Sequence, residues 1–333
     1  MRAGLKGVGW AILVLVIAGV IYEQYGRWQD RKRLPQIGRS IDIGGRTLNI
    51  HCAGEGSPPV ILESPGAGPG LLWEPIQTEI AKFTRACWYD RAGEGWSDPG
   101  PFPRTSAAIA NDLHELLRRA GVLPPYVLVG ASFGGLNVRV YSGIYPNEVA
   151  GLVLVDSSHE EEPERAPKFY LAPSPPRYLW RPLHLACQVA AQIGLVRLLQ
   201  PSAPTAQRTS QMTRRELIRA LSRQPKSFVN NSSGIVMPES YAQGRAAAGL
   251  GARPLIVLTA GKPPSFSDPE MAKQAAAYQQ VWIHEMQARL ARLSTRGRQI
   301  VLENSDHGSI ASEVVVAAAR EIVTEGRNGR SSH

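Results

Sequence analysis

Short apolar runs alternate with amphipathic segments over most of the chain. The apolar runs occupy residues 60–63, 84–89, 126–131, 152–155, 255–258 and 299–302. Between them, apolar residues recur at helical spacing, most clearly in residues 106–120 and 271–293. Continuous apolar strands separated by helices are typical of a parallel sheet that is covered on both faces. The pattern therefore predicts an α/β fold with a mostly parallel central sheet and helices on both faces.

Two intervals depart from this alternation. Residues 40–50 alternate apolar and polar positions around Gly44-Gly45, which predicts an antiparallel hairpin at the start of the sheet. Residues 157–251 contain crowded prolines and helical patterns but no pattern of a buried strand. We therefore expect a core of residues 40–156 and 252–326, with a helical lid of residues 157–251 inserted over the carboxyl ends of the strands. Sheets of this class bind ligands at those ends.

The N-terminus carries an uncharged apolar stretch at residues 8–22, preceded by Arg2 and Lys6. A helix needs about 20 such residues to cross a bilayer, and residues 5–22 come close to that length because the long side chain of Lys6 can reach the interface. Residues 1–26 are therefore predicted to form an uncleaved membrane anchor. A cleaved secretory signal and a buried helix are the alternatives. Residues 27–39 are predicted to be a basic linker whose Arg31-Lys32-Arg33 run favours anionic lipid headgroups. Basic residues flank the stretch on both sides, which leaves the orientation open.

Composition and charge narrow the classes of function. The chain has 333 residues, 43% of them hydrophobic and 20% charged, which indicates a folded globular protein; residues 327–333 are predicted to be a disordered tail. The net charge of +9 is spread over many segments, and no nucleic-acid-binding motif occurs, so a nucleic-acid partner is not expected. The three cysteines are not spaced as metal ligands, and no metal site is predicted.

The candidate chemistry centres on Gly130-Ala131-Ser132-Phe133-Gly134, which follows the apolar run at residue 126 and precedes a helical pattern. A strand that turns sharply into a helix at such a sequence raises the serine hydroxyl above the sheet edge. Gly130 and Gly134 allow the backbone segments to approach closely. Ser132 is therefore predicted to be a nucleophile. The amide of Phe133 is expected to point at the same space.

A base and an acid are needed to activate a serine hydroxyl. His307 follows the last apolar run in a polar loop, where its imidazole can swing over the sheet edge, and it is the predicted general base. The other histidines fall in predicted strands, helices, the lid or the terminus. Two carboxylates are candidates for the acid, namely Asp156, which ends an apolar run, and Asp268, which lies in a Pro/Ser loop.

In their order along the chain, these features resemble the α/β-hydrolase superfamily. The resemblance rests on the Gly130–Gly134 sequence, the glycine-rich residues 65–70, residues 89–98 (YDRAGEGWSD) and His307. Residues 89–98 are similar to the D-x-x-G-x-G-x-S segment of the esterase and haloperoxidase-like branch. The basic apolar leader is similar to that of bacterial members anchored at the cell envelope. The resemblance implies an ester hydrolase that works through an acyl-enzyme without a cofactor and lies outside the cytoplasm.

The resemblance also bears on the acid and on the oxyanion donors. Superfamily members usually carry the acid after the strand that is here residues 255–258, where Asp268 is the first carboxylate. The superfamily also tolerates the acid one strand earlier, at Asp156, which is the preferred candidate; Asp268 is the alternative. The family's His-Gly pair falls on Pro65-Gly66, so the amide of Ala67 is expected to join that of Phe133. The lid helices favour a small-molecule substrate with an apolar acyl group.

Several other readings stay open at this point. Perhydrolysis, acyl transfer and C–C hydrolysis use the same machinery. A non-catalytic pseudo-hydrolase that binds a ligand or partner is supported by the missing carboxylate directly after residues 255–258. Gly66, Gly68 and Gly70, followed by Asp90, are weakly similar to a dinucleotide site, but the full glycine pattern is incomplete. Cys52 and Cys87 fall on strands that are neighbours in this fold and would pair in an oxidising compartment.

Overall fold

The computed structural model describes residues 2–66, 68–170, 176–199, 213–230, 237–247 and 249–328. Within them, the centre is an eight-stranded sheet of order β1-β2-β4-β3-β5-β6-β7-β8. The strands are β1 Arg39–Asp42, β2 Thr47–Ala53, β3 Val60–Glu63, β4 Ala86–Tyr89, β5 Tyr126–Ala131, β6 Val149–Val155, β7 Leu255–Ala260 and β8 Gly297–Leu302. β1 and β2 form the antiparallel hairpin, and β2 pairs antiparallel with β4. All pairs from β4 to β8 are parallel. The predicted α/β fold class is confirmed.

Helices cover both faces of this sheet. Their bounds are α1 Arg2–Arg33, α2 Glu74–Ile80, α3 Ser106–Ala120, α4 Phe133–Ile144, α5 Glu162–Arg165, α6 Trp180–Gln192, α7 Leu195–Leu199, α8 Arg214–Ser222, α9 Pro225–Asn230, α10 Met237–Ala246, α11 Pro269–Val281, α12 Ala288–Ala291 and α13 Ser312–Asn328. Side chains of α3, α4 and α12 pack on one face, and those of α2, α8 and α13 pack on the other. Neighbouring residues of β5 therefore enter different clusters, with Leu128 in the first and Val129 in the second. Each such fully buried side chain contributes about 1.5–3 kcal/mol, which is why the strand reads as continuously apolar.

Between β6 and β7 the described residues form helices α5 to α10 and short 3-10 turns. α10 packs against α3 and α4, close to the end of β5. The predicted long helix of residues 271–293 is divided by a π-helical segment, Trp282–Gln287, which lies between α11 and α12.

The expected basic linker of residues 27–39 is wrong over its first part, because α1 continues to Arg33. Arg197 of α7 explains the continuation, since its guanidinium pairs with Glu23 at 2.8 Å and with Asp30 at 2.9 Å. The expected disordered tail is also too long. α13 includes Arg327 and Asn328, and the guanidinium of Arg327 donates to two backbone carbonyls. Residues 329–333 lie outside the described part of the chain.

Among the described residues, one helix is long and apolar enough to cross a membrane, spanning Lys6–Arg33. Only 6% of its most apolar window is buried in the protein, so it is not a helix of the hydrophobic core. The structure also pairs Cys52 with Cys87 in a disulfide across β2 and β4, where the two residues are direct register partners. Cys187, on α6, has a free thiol.

Candidate active site

Ser132 occupies the turn between β5 and α4 in a backbone conformation that non-glycine residues rarely adopt, with φ 52° and ψ −123°. Three backbone hydrogen bonds hold it there. Its N–H donates to the carbonyl of Val155 at 3.0 Å, and its carbonyl accepts from the amides of Gly135 and Ser158 at 3.0 and 2.9 Å. The surrounding chain therefore fixes the strained turn that exposes the hydroxyl.

Glycine is required on both sides of this turn. A Cβ at Gly130 would lie 2.5 Å from the carbonyl oxygen of Gly134, and a Cβ at Gly134 would lie 2.4 Å from that of Ser64. Both distances are shorter than real Cβ contacts, so alanine at position 130 would push β5 away from α4, and alanine at position 134 would push α4 away from the end of β3. The Gly-x-Ser-x-Gly spacing thus follows from the close approach of β3, β5 and α4.

His307 lies in the loop between β8 and α13 and contacts both Ser132 and Asp156. Its Nε2 is 3.1 Å from the Oγ of Ser132, and its Nδ1 is 2.6 Å from Oδ2 of Asp156. A carboxylate can only accept, so Nδ1 carries a proton and Nε2 is left to accept one from the serine. The hydrogen bond with Asp156 is the largest of the causes that raise the pKa of His307 above its ordinary value of 6.5.

Asp156 is buried at the end of β6, also with a positive φ of 42°. Its Oδ1 accepts from the amide of Ala260 at 3.0 Å and from the indole Nε1 of Trp282 at 2.8 Å. Its other oxygen is thereby directed at the imidazole of His307. Sequence reasoning missed both donors, because Trp282 belongs to the π-helical segment and no local sequence signal places that segment beside β6.

Asp268, the alternative acid, is directed elsewhere. It caps the N-terminus of α11, where its Oδ1 accepts from the amide of Met271 at 2.9 Å. Asp306 is likewise occupied locally, since its Oδ1 accepts from the amide of Gly308 at 2.9 Å. Of these three carboxylates, the structure brings Asp156 to the imidazole.

Among the residues considered for a dinucleotide site, Gly70 and Asp90 bind each other. Asp90 is fully buried, and its carboxylate accepts from the amides of Gly70 at 2.7 Å and Trp96 at 3.0 Å. Because its oxygens bind the protein's own backbone, Asp90 is not available to a ribose. No group of three or more His, Cys, Asp or Glu side chains within the described residues is arranged to hold a metal ion.

Comparison with known proteins agrees with this architecture. A sequence model of the family described as alpha/beta hydrolase fold matches residues 58–179. An esterase from Thermogutta terrifontis superposes with a TM-score of 0.55 at 22% identity, covering 86% of this chain and 98% of its own. The enol-lactonase from Burkholderia xenovorans gives 0.55 at 17% identity, covering 86% and 100%. This protein is an α/β-hydrolase-fold protein.

Curated relatives match this α/β-hydrolase-fold chain over shorter stretches. A Hormonema carpetanum protein named "Probable transporter efuK" is 32% identical over 142 residues, which are 39% of this chain and 20% of that protein. The chain spans less than half the length of the first curated relatives it matches, from 17% to 45%. These matches support the fold and leave the activity to be inferred from the site.

The turn after β3 lies against the start of α4, directly after Ser132, and is held by a buried arginine. The guanidinium of Arg91 donates to the carbonyls of Ser64 at 2.9 Å and Gly66 at 3.2 Å, and also to that of Pro65. Ala67, the expected second oxyanion donor, lies outside the described residues. Phe133, the first expected donor, opens α4, so its amide is among those at the helix N-terminus that have no partner within the helix.

Glu63 forms a buried ion pair with Arg91. Its buried carboxylate accepts from Nη1 of Arg91 at 3.0 Å, from Nδ2 of Asn137 at 3.0 Å and from the hydroxyl of Tyr89. A buried carboxylate is tolerated only with such partners. The segment at residues 89–98 was noted in the sequence, but this role of Arg91 depends on the unrelated position 63 and was not predicted.

Glu94, in the segment of residues 89–98, is another buried carboxylate. Burial is the main cause that raises its pKa to about 7. The pKa of this carboxyl group is higher in the folded than in the unfolded protein. Such a group lowers the free energy of unfolding as the pH rises from its unfolded pKa to its folded pKa. One pKa unit is worth about 1.4 kcal/mol, so we expect Glu94→Gln to stabilise the protein by about 3 kcal/mol at pH 8. Thermal unfolding at pH 8 and near pH 4.5 checks this. The gain should nearly vanish at the lower pH, and an effect of equal size at both would contradict it.

Proposed function

We propose that this protein is a serine hydrolase that cleaves an ester or a related acyl bond. The observation that carries the proposal is the continuous hydrogen-bonded chain from Asp156 through His307 to the Ser132 hydroxyl, at 2.6 and 3.1 Å. Ser132 Oγ attacks the acyl carbon while its proton passes to Nε2 of His307. The resulting imidazolium is stabilised by Asp156, which also keeps the ring in the required tautomer.

The remaining steps use the same groups in reverse. The imidazolium gives its proton to the leaving alcohol as the acyl-enzyme forms. His307 then takes a proton from the attacking water and returns it to Ser132 Oγ as the acyl–oxygen bond breaks and the acid is released. The amide of Phe133, together with that of Ala67, is proposed to hold the oxyanion in both tetrahedral intermediates. The reaction as written needs no metal ion or organic cofactor. Dehalogenases and epoxide hydrolases of this fold use an aspartate as the nucleophile at this turn. Serine at position 132 therefore argues against their chemistry for this chain.

The non-catalytic alternative loses its main support. It rested on the missing carboxylate after β7, and Asp156 reaches the imidazole from the end of β6 instead. Perhydrolysis, acyl transfer and C–C hydrolysis would use the same three residues. An esterase and an enol-lactonase are among the proteins of this fold that the structure resembles, and we propose hydrolysis of a C–O acyl bond for this chain by analogy with their names.

We further propose that α1 anchors the enzyme in a membrane and that the catalytic domain faces an oxidising compartment outside the cytoplasm. The exposed apolar side chains of α1 support the anchor. The Cys52–Cys87 disulfide supports the compartment, because disulfides persist where thiols are not kept reduced. The apolar lid helices favour a substrate with an apolar acyl group.

A fluorophosphonate probe tests the activity, since it forms a covalent bond with an activated serine. We expect one equivalent of label on the peptide that contains Ser132, and none on the Ser132→Ala variant. Ser142→Ala is the matched control, because Ser142 lies on α4, the helix that follows Ser132, where its hydroxyl donates to the carbonyl of Val138. Absence of label on wild type, or equal labelling of Ser132→Ala, would refute the proposal.

A further inference from the structure

α1 packs closely against the turn that joins α6 and α7. A Cβ added to Gly19 would lie 2.3 Å from the carbonyl oxygen of Ile193, and one added to Gly194 would lie 2.8 Å from that of Gly19. The two backbones therefore touch where both residues are glycine. A side chain at Gly26 would likewise meet the guanidinium of Arg197 at 2.4 Å. The contact thus extends along two turns of α1.

Buried ion pairs fix this contact in register. Arg197 points inward from α7, and its guanidinium pairs with Glu23, whose side chain is fully buried, and with Asp30. Arg27 also donates to Glu23 at 2.9 Å and to Gln192, the last residue of α6, at 3.3 Å. Because charges buried in this way are costly to separate, α1 and the α6–α7 turn are held together as one unit.

The position of Gly19 sets the depth of that turn in a membrane. Gly19 lies inside the apolar residues 8–22, only three residues before the last of them. At about 1.5 Å per residue, this places the turn roughly 5 Å from the end of the apolar stretch along the helix axis. The headgroup region of a bilayer is of about that thickness on each side. If α1 spans the membrane, the α6–α7 turn must lie within the membrane–water interface.

The outward side chains of this unit are large and apolar. We define the α6–α7 face as the exposed residues Leu185, Val189, Leu195, Leu198 and Leu199. Leu185 and Val189 lie one helical turn apart on α6, and Leu195, Leu198 and Leu199 share one side of α7 by their spacing. Exposed apolar side chains grouped in this way mark an interaction surface. The C-terminal turn of α1 beside the face ends in Arg31, Lys32 and Arg33. Basic residues next to an apolar surface suit the anionic headgroups at the edge of a bilayer.

We propose that the α6–α7 face inserts into the leaflet beside α1, so that the enzyme contacts the membrane through its lid as well as through its anchor. The occupant of the face is bilayer lipid, because the turn between α6 and α7 touches α1 at Gly19, inside the exposed apolar stretch of α1, and because basic residues follow that stretch. The inference rests on the proposed anchor, and it does not depend on the proposed hydrolase chemistry.

The test uses the full chain reconstituted in vesicles of phosphatidylcholine and phosphatidylglycerol. Single cysteines replace three exposed leucines of the chain in a Cys187→Ser background, and each carries an environment-sensitive NBD label. Leu198 (65% exposed) probes the face, Leu15 (71%) probes the anchor, and Leu123 (77%), at the opposite end of the strand that carries Ser132, is the aqueous control. A lipid with a nitroxide near the glycerol end of its acyl chain serves as the quencher.

We expect the label at 198 to emit at shorter wavelength than the label at 123 and to be quenched by the lipid nitroxide, as the label at 15 is. Quenching at 15 with water-like emission at 198 would overturn the proposal and leave the anchor intact. Short-wavelength emission at 198 without lipid quenching would show that protein covers the face, which also overturns it. Absence of quenching at both 15 and 198 would refute the anchor and the docking together, while the labelling of Ser132 would stand unaffected.

Discussion

Replacing Asp156 with asparagine should lower kcat/KM for an ester such as p-nitrophenyl acetate by about 10³- to 10⁴-fold. The asparagine retains an oxygen for the amide of Ala260, so the loop geometry is kept. Its neutral amide, however, does not require a proton on Nδ1 of His307 and does not stabilise the imidazolium. The imidazole can then place its proton on Nε2, where it blocks transfer from Ser132. Steady-state kinetics measure the loss.

The pH profile of the same variant separates this role from a structural one. Catalysis needs neutral His307, whose pKa is raised chiefly by its hydrogen bond with Asp156. In wild type we therefore expect activity to fall with decreasing pH through a pKa above the ordinary 6.5. In Asp156→Asn the neutral amide no longer favours the imidazolium, so this acidic limb should move to lower pH. An unchanged limb would show that Asp156 does not act on the imidazole.

Asp268→Asn is the matched control, because it makes the same chemical change at the other candidate acid. Asparagine also caps a helix N-terminus well, so the capping of α11 is preserved and neither stability nor kcat/KM should change. Full activity in Asp156→Asn, or a large loss in Asp268→Asn, would reverse the assignment of the acid.

The inner strands β3 to β7 could be predicted because they are buried on both faces. β5 reads as a continuous apolar run since Leu128 and Val129 enter opposite clusters. Ser132 could also be proposed from the sequence, because the glycines that permit its strained turn are its immediate neighbours. The strands and the turn at Ser132 depend mainly on residues that are adjacent in the sequence, which is why the sequence predicts them.

The acid could not be fixed in the same way, because its identity depends on contacts that span the chain. Asp156 and His307 meet because β5, β6, β7 and β8 are adjacent in the sheet and because the loop after β8 returns over the end of β6. The indole of Trp282 reaches Asp156 only because the helix after β7 contains a π-helical segment. The end of α1 was misjudged for a similar reason. Its basic, polar residues resemble a linker until Arg197, far along the chain, pairs with Glu23 and Asp30.

Replacing Arg91 with methionine should cause the largest combined loss of stability and turnover outside the three proposed catalytic residues. Glu63 would keep its bonds from Asn137 and Tyr89 but lose its only buried cation among the described residues, at a cost of about 3–5 kcal/mol. The turn after β3 would lose the donors to three consecutive carbonyls. Because that turn is proposed to carry the second oxyanion donor, we expect kcat to fall by about 10²-fold, the effect of losing one well-placed donor.

Two further variants distinguish a positioning role of Arg91 from a loss of stability alone. Arg139 is also buried, and its guanidinium pairs with Glu160 at 2.8 and 3.2 Å. Arg139→Met should therefore lower the free energy of unfolding by a similar amount without changing the kcat of the folded enzyme. In the double variant Glu63→Gln, Arg91→Met, removal of the unpaired charge should restore much of the stability but not kcat. If Arg139→Met lost as much kcat as Arg91→Met, or if the double variant recovered kcat, Arg91 would serve the fold alone. The reason is that the double variant removes the unpaired charge of Glu63 but does not restore the hydrogen bonds to the three carbonyls. A kcat that depends on those hydrogen bonds therefore stays low in the double variant, whereas a kcat that depends on stability recovers.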